Sequence, residues 1–586
     1  MAESSDQHPE RGRAQSRRPM VMDIKGNKGS VFYRAHSYHT KVPVEGLVQL
    51  IEHFTDPGDV VVDPFCGSGQ TGVAALLTGR HAVLSDLSPA AVHIARGYTA
   101  RVDPDRFRTA ASALLVVLGP LERELYGTPE GRIEYTVWSD VYRCSTCRRE
   151  VLFWDAAVDQ DTGAVQNTLS CPAGHGPLRK TDLQWLSTRP VQENISVDGQ
   201  RTRLVRAIGV ADKDRGVDRA AIPHWYPTTP WERWREMWRA QHEVQGIATS
   251  ADFFTTRNLY ALSALWDAIG RVDDESIRAG LRFAFTATIN RASRRYQWHP
   301  TRPTNVLSST MYLASLNYEF NVFSLFRRKL ATITKLYQQT GESSGSCEVH
   351  LGSAERLAWM ADCSADYVFA DPPFGSNIYY GDSSFLWEAW LGEQTDVAAE
   401  TVVNKRLTDR MGGTNLNDYE KSMSRAMREI RRVMCDSAWA SLQFHNSDDA
   451  VWSTIQSAVD SAGLSVEAAV VMDKGQSSFK GLRHERRGEK VASFDLVMHL
   501  APGACGRDNA QRRDVPRAEI ERELMEHVAK ESASRRTTPW LHSQVMRHLL
   551  AADASPAGWS FGAVESLCGE LFERRGNTWH LPATSA

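Results

Sequence analysis

The sequence predicts an α/β fold: an open, mostly parallel sheet with helices between its strands, interrupted by one long insertion. Three observations predict it. Two short apolar runs, Val60-Val61-Val62 and Tyr367-Val368-Phe369-Ala370, end in the acids Asp63 and Asp371, as buried strands do when they deliver a side chain to a sheet edge. A glycine-rich turn and a helix follow the first run, and then a second strand with its own acid, Asp86. Strand and helix periods alternate again after residue 345.

The chain has 586 residues, enough for three or four domains, and 42% hydrophobic content supplies a sizeable core. Its net charge is −3, so it is no general polycation, and any nucleic-acid contact must come from local basic surface. The nine cysteines are mostly scattered singly, which fits a reducing cytoplasm better than a disulfide framework. No apolar run is long enough to span a bilayer, and there is no signal-peptide pattern. Residues 1–27 are polar and read as a disordered tail.

The first lobe of the sheet domain spans residues 28–100. Pro43 suits the first turn of a helix in which Leu47, Leu50, Ile51 and Phe54 recur at helical spacing. Pro57-Gly58 ends it, and the strand to Asp63 follows. The turn reads Asp63-Pro64-Phe65-Cys66-Gly67-Ser68-Gly69, then a helix begins near Gly72. Strand His81–Ser85 ends at Asp86, and Ser88-Pro89 caps the next helix. Glycines let a backbone approach a ligand, and an acid after the second strand accepts bonds from ribose hydroxyls. The turn is not the dinucleotide fingerprint and has no Walker lysine.

Residues 101–345 form the insertion. Cys144, Cys147, Cys171 and His175 are two close-spaced pairs of metal ligands with a β-rich spacer, a structural zinc ribbon over about 140–180. Four protein ligands leave no open position for catalysis. Trp225, Trp231, Trp234 and Trp238 alternate with Arg233, Arg235 and Arg239. Such interleaving can mark a nucleic-acid face, but an amphipathic helix burying its indoles is the preferred reading. Helices follow at 258–269 and 276–290. Arg291, Arg294, Arg295 and Tyr296, at the end of the second, are candidates for phosphate contacts or target recognition.

The second lobe spans residues 346–502. It starts with a strand at 347–350 and continues through Asp371, a helix near 417–434, a strand at 439–444, a helix near 448–462, and strands at 466–472 and 493–500. The loop between the last two carries Lys480 and Arg483, which could reach a duplex. Residues 503–586 read as a small helical appendage with a short strand at Trp579-His580-Leu581.

After Asp371 come Pro372, Pro373 and Phe374. The prolines remove two donors and leave carbonyls to accept, and the aromatic ring offers a stacking face. A carboxylate, a carbonyl and a π-face suit a planar group with an exocyclic amine.

The loop at 63–69, Asp86 and the tetrapeptide at 371–374 resemble the amino-methyltransferases that modify adenine N6 or cytosine N4. More closely, the chain resembles bacterial adenine-specific DNA methylases that contain a zinc ribbon. Shared features are the Tyr38–Pro43 lead-in, the Ser85–Ala91 segment and a ribbon inserted before the catalytic strand. The resemblance implies a class I S-adenosylmethionine-dependent fold with a seven-stranded, Rossmann-like sheet. It implies that Asp63, Pro64, Phe65, Cys66, Gly67, Ser68 and Gly69 hold the methionine end of S-adenosylmethionine and that Asp86 binds its ribose. Ser353 stands where the family often has an acid beside the cofactor's adenine. Asp371, Pro372, Pro373 and Phe374 become the catalytic motif, with DNA as partner, further subunits of a defence or modification system as candidate partners, and host modification or phage defence as the setting. Asp at the first position favours adenine. The alternatives are a cytosine-N4 DNA enzyme, an RNA guanine-N2 methyltransferase, whose motif shares Gly375, and a catalytically silent DNA-binding subunit.

Overall fold

The computed structural model describes residues 18–582 apart from 28, 160, 167, 209–216, 301–309, 376–377, 405, 407–412, 447–448, 474–494, 504–511 and 533–534. Its main sheet begins with β1 (Ile24–Lys25), β2 (Val60–Asp63) and β3 (His81–Asp86). A second, antiparallel sheet comes from the insertion: β4 (Gly127–Thr128), β5 (Gly131–Arg143), β6 (Glu150–Leu152), β7 (Gln184–Ser196), β8 (Arg203–Ala207) and β9 (Leu316–Phe320). The main sheet resumes with β10 (Ser346–Leu351), β11 (Ala365–Ala370), β12 (Met434–Phe444), β13 (Leu464–Asp473) and β14 (Asp495–Pro502). A last hairpin joins β15 (Glu573–Arg575) to β16 (Thr578–His580).

The main sheet has the order β10-β3-β2-β11-β12-β14-β13-β1. The strands β10, β3, β2, β11 and β12 run parallel, and only β14 is antiparallel to its neighbours. From β2 the chain builds outward to β3 and β10, then returns to lay β11 on the other side of β2. That reversal is a topological switch point, where an open sheet leaves a crevice beyond its carboxyl ends. Asp63 ends β2 and Asp371 follows β11, so both acids face the crevice. Asp366 adds a cross-tie, its Oδ2 accepting the Val60 N–H at 2.8 Å.

Seven of these strands occupy the places expected; the eighth is a correction. Ile24 and Lys25, in the stretch read as a tail, pair in parallel with Met472 and Asp473, and Ile24 is fully buried. Asp23 helps hold them by accepting the Val471 N–H at 3.2 Å. The C-terminal region also differs from a simple appendage. Its helices Arg517–Lys530, Thr538–Ala551 and Phe561–Leu571 bury Leu524, Trp540, Leu541 and Leu567 in one core with Val368, Leu442, Val471 and Met498. It forms a cover for one face of the sheet.

The insertion packs into the other core. Its helix Glu275–Ala292 crosses the helix Pro89–Thr99, with Phe283 against Gly97. A Cβ at Gly97 would lie 2.2 Å from Phe283 Cδ2, so only glycine allows this approach. The tryptophan-rich stretch is not the helix expected: among its described residues, 225–239 form turns and extended backbone. Pro227 and Pro230 remove backbone donors, and the Trp231 N–H bonds to the Ala248 carbonyl at 2.8 Å. Trp231 is nevertheless core, while Trp225 is 56% exposed.

Gly97→Ala is expected to destabilise the protein by about 1–3 kcal/mol through overpacking. Adding Phe283→Leu to Gly97→Ala should recover part of the loss; equal melting temperatures for Gly97→Ala and wild type would refute this account of the helix crossing.

Candidate functional site

The crevice holds a pocket of about 870 Å³, counting the space open to solvent. Three segments wall it: the turn after β2, the stretch Tyr38–Val42, and Thr395–Val402 with Tyr380 opposite. Among the described residues four carboxyl groups line it, from Asp63, Asp86, Asp371 and Glu400, and no Lys, Arg or His does. A polyphosphate would meet only repulsion in such a lining, whereas a cationic ligand bearing hydroxyl groups fits its charge and its acceptors.

The turn is built as the glycines require. Gly67 and Gly69 have φ of 49° and 74°, and Gly69 starts the helix Gln70–Leu77 in the left-handed region. A Cβ on Gly67 would meet Tyr38 Cε1 at 2.9 Å, and one on Gly69 would meet Ala95 Cβ at 2.6 Å. The acids brace the turn. Asp63 accepts the Phe65 N–H at 3.0 Å and the Thr71 hydroxyl at 2.6 Å. Asp86 accepts the N–H groups of Gly67 and Ser88, both at 2.9 Å. Ser88 caps the helix Pro89–Thr99 through the Ala91 N–H. Of the residues expected here, Asp63, Pro64, Phe65, Cys66, Gly67, Ser68, Asp86 and Ser353 line the pocket, whereas Gly69 faces Ala95.

Burial raises these acids. It pushes Asp63 up to about 7, with nearby Asp371 and Asp86 adding to the rise and the Thr71 and Phe65 bonds opposing it. Asp86 rises to about 6 by burial against its backbone bonds. Glu400 rises to about 8, first by burial and then by Asp382, Glu388 and Asp86, although the Gly381 N–H donates to it at 2.5 Å.

At the motif, Asp371 and Pro373 line the pocket. The Tyr419 hydroxyl donates to the Pro373 carbonyl at 2.8 Å. That leaves the Pro372 carbonyl as the motif's proline acceptor without a bond among the described residues. Phe374 packs edge-to-face on Phe444 at 5.0 Å, and Asn446 donates to its carbonyl at 3.4 Å. Gly375 turns the chain away with φ 65°.

Sequence reasoning missed Glu400, Tyr380 and the segment carrying them, because no motif marks them. One signal was available: Asp382 and Glu388 sit in the helix Tyr380–Leu391 among Phe385, Leu386, Trp387 and Trp390, and buried acids need partners. Glu388 Oε1 accepts the Ser88 hydroxyl at 2.8 Å, and its Oε2 accepts the Thr395 N–H at 2.9 Å, tying the Thr395–Val402 wall to the turn after β3. Asp382 pairs with buried Arg235 at 3.0 Å, whose guanidinium also lies over Trp231, Trp234 and Phe385.

The Cys/His set gathers at the end of β5. The ligand atoms of Cys144, Cys147, Cys171 and His175 all lie within 4.8 Å of one another. Cys147 Sγ is 3.5 Å from Cys171 Sγ, and Cys144 Sγ is 4.0 Å from His175 Nδ1. Tetrahedral ligands about 2.3 Å from a zinc ion would be ~3.8 Å apart, so the set fits such an ion.

The nucleic-acid candidates divide. Arg295 and Tyr296 are 6% exposed, and Arg295 donates to Asn290 Oδ1 at 3.2 Å and to the Thr310 carbonyl at 2.8 Å. They are core residues, not surface contacts: helix Glu275–Ala292 turns inward as it ends. Arg294 is half-buried and bonds to the Asp252 carbonyl at 3.3 Å. Arg291 is half-buried over the rings of Tyr296 and Phe320. Lys480 and Arg483 lie outside the described residues.

Fold and site together define an α/β protein with an acidic ligand pocket at a switch point and a separate metal-type cluster. Residues 8–97 match the model of a family described as DNA methylase. A protein of Escherichia coli (strain K12) named as a methylase, YubD, is 53% identical over 49 residues, 8% of this chain. The match spans 22% of that relative's length. A crystal structure titled antibiotic-resistance methyltransferase Kmr is 12% identical, covering 29% of this chain and 66% of that one. Its TM-score is 0.15, too slight a likeness to bear on the fold.

Asp63 is held above its unfolded value, so its contribution to stability is fully present below about pH 4 and is lost as pH rises through about 7. Asp63→Asn removes a buried charge and keeps an acceptor for Phe65. Its melting temperature should exceed wild type at pH 8 by about 3 °C, a gain of about 2–4 kcal/mol, and the gap should shrink towards pH 5. A gap independent of pH would rule out this ionisation.

Proposed function

We propose that this protein is a class I S-adenosylmethionine-dependent DNA methyltransferase acting on the exocyclic amine of a flipped base, adenine N6. The observation that carries the reading is the pocket: among the described residues four carboxyl groups and no cation line it, and Asp371 and Pro373 of the motif stand in its wall. The family match over residues 8–97 supports a DNA substrate. The strand order, with the antiparallel β14 set between β12 and β13, supports the class I assignment. S-adenosylmethionine would supply an electrophilic sulfonium methyl group. Asp63, the turn at 64–69 and Asp86 would hold it, with Ser353 beside its adenine.

The chain's own residues do the rest. An exocyclic base amine is a weak nucleophile because its lone pair is delocalised into the ring. Asp371 and the Pro372 carbonyl each accept one N–H, which favours a pyramidal nitrogen with a localised lone pair. Positioning then matters more than strong base catalysis. Phe374, braced by Phe444, stacks on the flipped base. Asp371 takes the proton the amine sheds.

Cys144, Cys147, Cys171 and His175 would hold a structural zinc ion, which stabilises an insertion tip with little apolar core of its own. We place the enzyme in the cytoplasm, in a host-modification or phage-defence setting, with other subunits as candidate partners; among the described residues no helix is long and apolar enough to cross a membrane.

Incubation with methyl-labelled S-adenosylmethionine and duplex DNA, followed by mass spectrometry of the nucleosides, should give N6-methyladenine. N4-methylcytosine instead would correct the base, and label entering transfer RNA but not DNA would overturn the reading. Asp371→Ala should lower transfer at least 1000-fold and leave cofactor binding within about threefold of wild type, since it removes an acceptor used only by the base. Metal analysis should find one zinc per chain, and Cys171→Ser should lose it and become protease-sensitive between β5 and β7; full metal content in Cys171→Ser would refute the ligand set.

A further inference from the structure

One end of the insertion's antiparallel sheet gathers cations from three separate elements. In register across the sheet, Phe320 of β9 faces Tyr135 of β5, Tyr135 faces Asn194 of β7, and Asn194 faces Val205 of β8. Arg203, two residues before Val205, shares that face and donates to Asn194 Oδ1 at 3.3 Å. Arg291 comes in from the helix Glu275–Ala292, its guanidinium 4.8 Å from the Phe320 ring centre and 5.1 Å from that of Tyr296. Arg328 comes from the helix Val322–Thr340, which leaves β9, with its Nε bound to the Ser324 carbonyl at 3.1 Å.

None of the three forms an ion pair among the described residues. Glu134, whose charge acts on Arg328, is bound by Arg132 at 3.1 Å. Burial and then the charge of Arg291 lower the Arg328 pKa; Glu134 opposes them, and Arg203 adds a smaller lowering. Holding like charges together in this way is unfavourable unless an anion completes the group.

The helix that carries Arg328 is tied to the stretch leading into the pocket wall. Lys329, next to Arg328, donates to the carbonyls of Arg34 and Ala35 at 3.0 and 3.1 Å. Three residues further along, Tyr38 lines the pocket, at most about 11 Å of chain from Ala35.

We propose that Arg203, Arg291 and Arg328 form a seat for a backbone phosphate of the DNA duplex that flanks the base entering the pocket. The aromatic rings under Arg291 fix its guanidinium in advance, so the seat reads charge and position rather than sequence. The inference rests on the DNA reading above and goes beyond it by naming where the backbone is held.

The test is binding of the full chain to a fluorescent 30-base-pair duplex of arbitrary sequence, by anisotropy, between 50 and 250 mM salt. Arg203→Gln/Arg328→Gln should weaken binding about tenfold at 100 mM salt and lower the slope of log affinity against log salt by about 1. Its affinity for S-adenosylmethionine, measured by calorimetry, should be unchanged, which shows that the pocket is intact. Arg203→Gln alone, at an exposed position, gives a smaller loss in the same direction and decides the matter if the double variant does not fold. Wild-type affinity and slope in the variant that folds would overturn the seat while leaving the function standing. A wild-type protein that binds S-adenosylmethionine but no duplex would overturn both.

Discussion

The parallel pairing of β2 with β11 is the constraint on which the site depends. The two strands are separated by about 300 residues of chain, yet Val61 and Val62 lie in register with Tyr367 and Val368. Only this adjacency sets Asp63 beside Asp371 at one sheet edge. The pairing is buried on both faces, which explains the continuous apolar character of both strands. It is reinforced where the backbone would otherwise lack a partner, by the Asp366 carboxylate on the Val60 N–H. A site assembled across such a sequence separation needs the whole sheet domain to close before it exists, and the insertion must pack without prising the two halves apart. Gly97 under Phe283 is how that packing is accommodated.

Charge is handled differently in the two lobes. In the sheet domain the acids crowd a pocket that is lined, among the described residues, by no compensating cation, so their ionisation is left to a ligand. In the insertion most buried charges are answered internally, as Arg257 is by Glu319 and Arg235 by Asp382 across the lobes. The Arg203, Arg291 and Arg328 group departs from that habit.

Much of this was legible in the residues. Strands ending in Asp63, Asp86 and Asp371 could be read because an apolar run followed by an acid has one common structural meaning in α/β sheets. The Cys144 to His175 set could be read because metal ligands have narrow spacing rules. What escaped reading was tertiary. Glu400 reaches the pocket through a loop whose path depends on Glu388 and Thr395, and no local pattern encodes that. Tyr296 and Arg295 looked like a surface cluster because charge normally marks a solvated helix end; here the chain turns inward and supplies Asn290 Oδ1 and the Thr310 carbonyl as partners. The tryptophan stretch has helical spacing, but its prolines remove the donors a helix needs.

The small strand at Ile24–Lys25 bears on how the protein behaves in company. The far side of β13 would otherwise present a row of open backbone groups, and such a border recruits strands from neighbouring molecules. Two residues contributed from the start of the described chain cover one end of that border, at Met472 and Asp473, within the same molecule. Cutting the protein at residue 27, where composition suggests that an inert tail ends, would uncover the end of that edge at Met472 and Asp473, and concentration-dependent assembly would be the cost.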